Sequence, residues 1–453
     1  MRHSTTFFFL LTLFSAVALA DNRAPVADQL GGPLLTPVGA ERAGNAAGTI
    51  PPWKGGITEP PAGYVPGEQH VDPWPEDNVL YTITADNMAD YADRLSPGQQ
   101  ALLQAHPDSW RMHIYSTRRS ASYPEWVYRA IEDNARNARV LREGKGGVAG
   151  ANVSSPFPVP ASGVEAVWNH NLRWRGIRIQ RSFGQAAVTR RGRYTVTLTL
   201  QDFAFPYAAH PDDMLREKFP NMLLAIKGKV IQPGLLSGDG TLVLEPIDQT
   251  ADPRKSWTYN RNLRRILRAP YIASAFPAAN TDNLRTVDEF DMFNGSPEQY
   301  DWQLKGKQEL YIPYNAYRIH ARDLTADDIV GKHHINPAYA RYELHRVWVV
   351  EGTLKPGMKH IYSRRVFYID EDSWQIAVAD NYDLEGKLWR TSEAHALNYY
   401  EVPVLWSTLE VYYDLVKQRY LVSGLDNGRN PYQFSDTADP REFSPNALNY
   451  YVR

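Results

Sequence analysis

From about residue 164 the chain takes up the two-residue periodicity of β-strands and keeps it for most of its remaining length, which narrows the possible folds more than any other feature. Residues 194–200 alternate Thr with apolar side chains. Residues 222–231 and 241–247 flank Ser237-Gly238-Asp239-Gly240, whose composition predicts a hairpin turn. Residues 360–369 and 374–382 flank Asp370-Glu371-Asp372-Ser373 in the same way. Further strands are predicted over 256–259, 308–319, 342–354, 388–397 and 404–413, and 424–453 reads as polar and turn-rich. Helical spacing is confined to the earlier part: 84–106, with a new start at Ser96-Pro97, and 124–143, before a Gly- and Pro-rich loop over 144–160. Helices first and a long antiparallel run afterwards predict an α+β fold, a large curved sheet with helices packed on one side. No internal repeat is evident.

The first twenty residues predict export. Arg2 and His3 precede an apolar run over 7–19, broken only by Thr12 and Ser15 and ending in Ala18-Leu19-Ala20. A basic start, an apolar centre and a small-x-small end make a secretory signal peptide, 1–20, and the run is shorter than the roughly 20 residues of a spanning helix. The chain has no cysteine, and Asp21 stands where a lipoprotein would carry one, so lipidation, disulfides and thiolate chemistry are excluded. Residues 21–75 are rich in Gly and Pro and read as an extended arm; Gly31 to Asn45 has glycines but no Gly-Lys-Ser/Thr, so it is not a phosphate loop. Residues 76–453 are expected to form a single domain. An outer-membrane barrel would need an unbroken series of alternating segments, which 32 prolines interrupt. The net charge of −2 gives no reason to expect nucleic acid.

Few constellations carry chemistry. His333, His334, Glu343 and His345 are zinc-type ligands, but adjacent histidines on a strand face opposite ways, no HExxH spacing occurs, and no metal site is predicted. Ser237 lacks the G-x-S-x-G setting of a serine nucleophile. Asp370 and Asp372 sit in a turn, where turn formation and solvation account for them. No catalytic residues and no cofactor are predicted. Arg261, Arg264, Arg265 and Arg268 form a basic segment suited to anionic headgroups or an acidic partner, or else a solvated face paired with nearby carboxylates. The aromatic content, 27 Tyr, 12 Trp and 15 Phe, suits strands and wet-edged grooves.

Three strings carry a family resemblance: Gly31 to Gly56 (GGPLLTPVGAERAGNAAGTIPPWKGG), Tyr342 to Leu354 (YELHRVWVVEGTL) and His360 to Trp374 (HIYSRRVFYIDEDSW). They resemble the bacterial family catalogued as domain of unknown function 1329. That family is similar in fold to the outer-membrane lipoprotein-sorting proteins LolA and LolB, an incomplete antiparallel β-barrel with helices over its open side that shelters acyl chains. Its members are often encoded beside RND-type exporters. The resemblance implies a periplasmic, non-enzymatic carrier or chaperone for lipid or another hydrophobic molecule, associated with the outer membrane, with an RND-type transporter or outer-membrane protein as partner. Candidate cavity or rim aromatics are Trp257, Tyr259, Trp302, Tyr311, Trp348, Phe367 and Trp374. Trp348 shares a strand face with Val350, and Phe367 with Ile369. Two alternatives stand beside the carrier: an envelope adaptor with a filled cavity, and a secreted hydrolase.

Overall fold

The computed structural model describes residues 26–144, 146–269 and 274–452. The leader read at 1–20 lies outside the described residues. Sixteen strands form one open sheet. In chain order they are β1 (Tyr81–Ile83), β2 (Met112–Ile114), β3 (Arg178–Val188), β4 (Val196–Ala204), β5 (Met222–Gln232), β6 (Gly240–Pro246), β7 (Lys255–Asn260), β8 (Arg265–Arg268), β9 (Tyr300–Pro313), β10 (Tyr342–Leu354), β11 (Arg364–Asp370), β12 (Ile376–Tyr382), β13 (Leu388–Tyr399), β14 (Val404–Asp414), β15 (Arg419–Leu425) and β16 (Gln433–Ser435). The spatial order is β1-β2-β10-β11-β12-β13-β14-β15-β3-β4-β5-β6-β7-β8, with β9 on β10 and β16 on β3. Among the described residues the ladders are antiparallel except for a single parallel pair, Tyr342 with Ile114.

Helices are few: α1 (Pro97–Ala105), α2 (Glu125–Asn137), α3 (Gly163–Leu172) and, at the C-terminus, α4 (Pro445–Tyr451), with shorter helical turns between strands. α1 begins at a capping box formed by Ser96 and Gln99, with Pro97 at its first position. Its first turn docks on a buried carboxylate. Asp380 accepts from the Gly98 backbone N–H at 2.9 Å, from Thr391 at 2.8 Å and from Ser96 at 3.3 Å. A Cβ on Gly98 would lie 2.1 Å from Asp380 Oδ1, so only glycine permits this approach.

Strands overlap every span expected from alternation, but β9 runs over Tyr300–Pro313 in place of 308–319, and β1, β2, β3, β8 and β15 are additional to the expected ones. The stretch after Met88 is a 3-10 helix, Met88–Arg94, not the start of an α-helix. α3 occupies residues assigned to the beginning of the strand region. It is buried on nearly all sides, so its sequence has no polar face to show a helical period. The C-terminal stretch read as turns contains β16 and α4.

β12, β14 and most of β13 and β15 are buried on both faces, an arrangement that needs cover on each side. One cover is the segment 26–80, which runs as turns and extended chain against the sheet: Val38 and Ala40 join one buried cluster and Ile50 another. The Trp374 indole donates to Val38 O at 3.2 Å, and the Trp53 indole to Ala121 O at 3.3 Å. A second cover is the irregular segment 284–294. Asp288 pairs with Arg365 at 2.7 Å, Asp291 with Arg173 at 2.7 Å and with Arg175 at 2.5 Å, and Glu289 accepts from the Tyr362 hydroxyl at 3.2 Å. All of these groups are buried, and the adjacent arginines hold the Asp288 and Asp291 carboxyls far below the ordinary range despite burial.

Two predictions follow from these contacts. Asp291→Ala leaves two buried guanidinium groups unanswered and should cost about 3–5 kcal/mol in chemical denaturation. Glu393, buried between the Gln99 amide (3.0 Å) and the Tyr342 hydroxyl (2.7 Å), has its carboxyl pushed up to about 7 by burial. A carboxyl whose folded pKa is raised binds more protons in the native state, so its contribution is present at low pH and is lost as pH rises from the unfolded value toward about 7. Glu393→Gln should therefore flatten the fall of stability across that window and leave the variant more stable than the parent at pH 8.

Candidate ligand-binding cavity

A cavity of about 490 Å³ lies against β3 to β8. The sheet residues lining it are cross-strand neighbours on one face: Phe183 opposite Thr199 on β4, Thr199 opposite Val230 on β5, Gln201 opposite Gly228, Gly228 opposite Thr241 on β6, Ile226 opposite Val243, Leu224 beside Glu245, and Val243 opposite Ser256 on β7. Alternation thus places a continuous, mostly apolar wall on one side of five strands. Gly228 keeps that wall low at its centre: a Cβ there would meet Thr241 and Thr199 at 3.2 and 3.3 Å. The opposite sheet face is closed by α4; there Leu242 packs in one buried cluster with Leu448 and Val452, and Lys227 lies over the rings of Phe443 and Tyr451.

The second wall is irregular chain. Ala278, Asn280, Arg285, Val287, Phe290 and Asn294 face the sheet across the cavity. Polar groups gather at this end. Glu245 pairs with Arg254 at 2.9 Å, and burial, only partly offset by that arginine, holds the Glu245 carboxyl above its usual range. At about 490 Å³, with an apolar wall and a few polar groups at one end, the space has the size and lining of a small-molecule site.

Of the seven aromatics singled out in the sequence, Trp257 and Tyr259 lie on the cavity-bordering strand β7, but the alternation that gives Ser256 to the cavity wall turns their side chains to the opposite face, with Leu242 and Gly240. The other five lie away from the cavity. Trp302 stacks on Phe367 at 5.3 Å and Trp348 on Trp374 at 6.2 Å within one packed cluster, and Tyr311 is fully buried in another, its hydroxyl 2.7 Å from that of Tyr81. The shared faces of Trp348 with Val350 and Phe367 with Ile369 are present, but they serve packing: the sheet around β9 to β12 is filled by side chains.

Arg261 donates to the carbonyls of Gly234 and Ser237 at 2.8 Å. Arg264, Arg265 and Arg268 are exposed on and beside the edge strand β8 and join no ion pair among the described residues.

The zinc-type residues divide. His345 Nε2 lies 3.2 Å from Glu343, whereas His334 contacts Ser109 at 2.9 Å and His333 stacks on His106. His345, Asp370 and Asp372 offer ligand atoms within 4.8 Å of one another. Both Asp372 oxygens are taken by Arg119, at 2.7 and 2.8 Å, so a guanidinium already answers this cluster's charge. The turn carrying Asp370, Glu371 and Asp372 is buried, not solvated as its sequence suggested, because the arm and Arg119, Lys307 and Arg346 enclose it. Burial and the neighbouring Asp372 push the Asp370 carboxyl up to about 7.

The family model described as "Protein of unknown function (DUF1329)" matches residues 82–449. The chain belongs to that family. It is 42% identical over 440 residues to "Uncharacterized protein PA3922" of Pseudomonas aeruginosa, covering 97% of this chain and 96% of that one. Among solved structures it is similar to a putative outer membrane lipoprotein-sorting protein domain from Vibrio parahaemolyticus (TM-score 0.43, 13% identity, 63% of this chain and 98% of that one). It is also similar to a DUF1329 family protein from Desulfovibrio piger (TM-score 0.40, 13% identity, 60% and 92%) and a LolA superfamily protein from Nitrosomonas europaea (TM-score 0.37, 10% identity, 63% and 98%). No helix among the described residues is long and apolar enough to cross a membrane.

Val243→Trp would place an indole in the middle of the cavity without disturbing the opposite sheet face. It should weaken binding of a neutral apolar fluorophore such as N-phenyl-1-naphthylamine by about tenfold or more, read by fluorescence titration, with little change in thermal unfolding.

Proposed function

We propose that the protein is an exported, non-enzymatic carrier of a lipid or other hydrophobic molecule. The observation that carries this reading is the apolar cavity of about 490 Å³ between β3–β8 and the 278–294 segment. Apolar surface left facing a void is a cost in a folded chain, and it is offset when a ligand occupies the space. The hydrophobic effect then supplies affinity without any chemical step. The leader over 1–20 supports export, and a periplasmic site of action goes with it. A carrier there has no ATP, so loading and release rest on differences in affinity between partners. An RND-type exporter or an outer-membrane protein is the partner class this reading implies. Arg264, Arg265 and Arg268, beside the cavity at the sheet edge, are its candidate contacts with anionic headgroups or an acidic partner.

The envelope-adaptor reading draws on one observation of its own, the filled interior around β9 to β12. The test is native mass spectrometry of protein isolated from the periplasm, followed by organic extraction. The carrier reading expects a discrete co-purifying hydrophobic species that is released on denaturation and absent from Val243→Trp. A clean apo mass, unchanged after incubation with envelope lipids, would transfer the assignment to an adaptor.

A further inference from the structure

The cavity contains a cationic side chain that forms no ion pair among the described residues. Nine arginines are buried among the described residues: Arg119, Arg173, Arg175, Arg181, Arg285, Arg341, Arg346, Arg365 and Arg390. Eight of them donate hydrogen bonds, to carboxylates, carbonyls, a side-chain amide or hydroxyls. Arg285 is the exception. It is 8% exposed and lines the cavity, yet it donates no hydrogen bond and joins no ion pair, and its Nε and Nη1 are buried without a partner. The guanidinium lies over the Tyr412 ring, 5.7 Å from its centroid.

The charged groups around it are committed elsewhere. Glu245 is paired with Arg254, and Asp239 accepts from the Arg261 backbone N–H at 3.2 Å. Glu410, which feels the Arg285 charge, accepts from Ser407 at 2.9 Å and Tyr412 at 2.6 Å, and burial raises its carboxyl above the usual range. Asn294, also lining the cavity, makes no side-chain hydrogen bond, and its Oδ1 is buried unpartnered. A cation and an amide, both desolvated and both idle, therefore stand on the irregular wall, opposite the apolar wall of Leu224, Ile226 and Val243.

Resting on the carrier reading, we propose that the ligand is an anionic amphiphile: an apolar chain with a carboxylate or phosphate head, the head on Arg285 and the chain along the sheet wall. A planar guanidinium accepts either oxyanion in a two-pronged contact, and the apolar lining excludes the water that would weaken it.

The test is displacement of N-phenyl-1-naphthylamine at pH 7.5 by dodecanoate, dodecyl phosphate, dodecanol and dodecyltrimethylammonium. One or both anions should displace the probe at about tenfold lower concentration than the alcohol, and whichever is stronger identifies the head. Arg285→Met should abolish that preference, and Arg285→Lys should retain part of it. Equal displacement by anions and alcohol, with the probe still sensitive to Val243→Trp, would overturn the anionic head and leave the carrier standing. Failure of the probe and all four chains to bind would overturn both. An anion preference that persists in a folded Arg285→Met protein would also overturn the assignment to this residue.

Discussion

The segment 284–294 has no strand and only one turn of 3-10 helix, Val287–Glu289, yet the interior is organised around it. What holds it is ion pairing in a place without water: Asp288 against Arg365, Asp291 against Arg173 and Arg175. Buried pairs of this kind add little net stability compared with apolar packing, but losing one partner strands the other. Their effect is to fix one conformation. On one side the segment closes the face of the sheet near Arg365 and Arg390, where Leu284 O and Asn283 O accept from the latter at 3.2 and 2.7 Å. On the other it supplies Arg285, Val287, Phe290 and Asn294 to the cavity. The same backbone therefore fills one part of the sheet and leaves the other open.

That division separates two uses of a single sheet. Around β9 to β12 the aromatics stack on one another, as with Trp302 on Phe367, and the arm closes over them through Val38 and Trp374. From β4 to β7 small and medium side chains, Thr199, Gly228, Thr241 and Ser256, recur on one face, and space remains. Side-chain volume in successive cross-strand rows decides which half is packed and which is hollow.

Much of the fold was legible because strand alternation survives wherever one face is wet. The hairpin strands β5 and β6 lie within a residue of the limits that alternation predicts, 222–231 and 241–247, and β4 overlaps its predicted span. α3 was not legible, since a helix buried all round has no polar face to set its period. The burial of Asp370 to Asp372 was hidden because Arg119, Lys307 and the arm approach from distant parts of the sequence. Arg285 was invisible for a related reason. Its sequence neighbours Asp282, Asp288, Glu289 and Asp291 suggest ready partners, but Asp288 and Asp291 pair with distant arginines and Asp282 with Arg419.

The sheet is open, and one of its ends is β8, whose outer edge offers backbone N–H and C=O groups to any passing strand. Arg264, Arg265 and Arg268 stand exposed along and beside that edge. A second copy adding itself edge to edge would bring like charges to within about 5 Å of one another in a single rung. Like charge along this edge therefore disfavours edge-to-edge pairing of two copies.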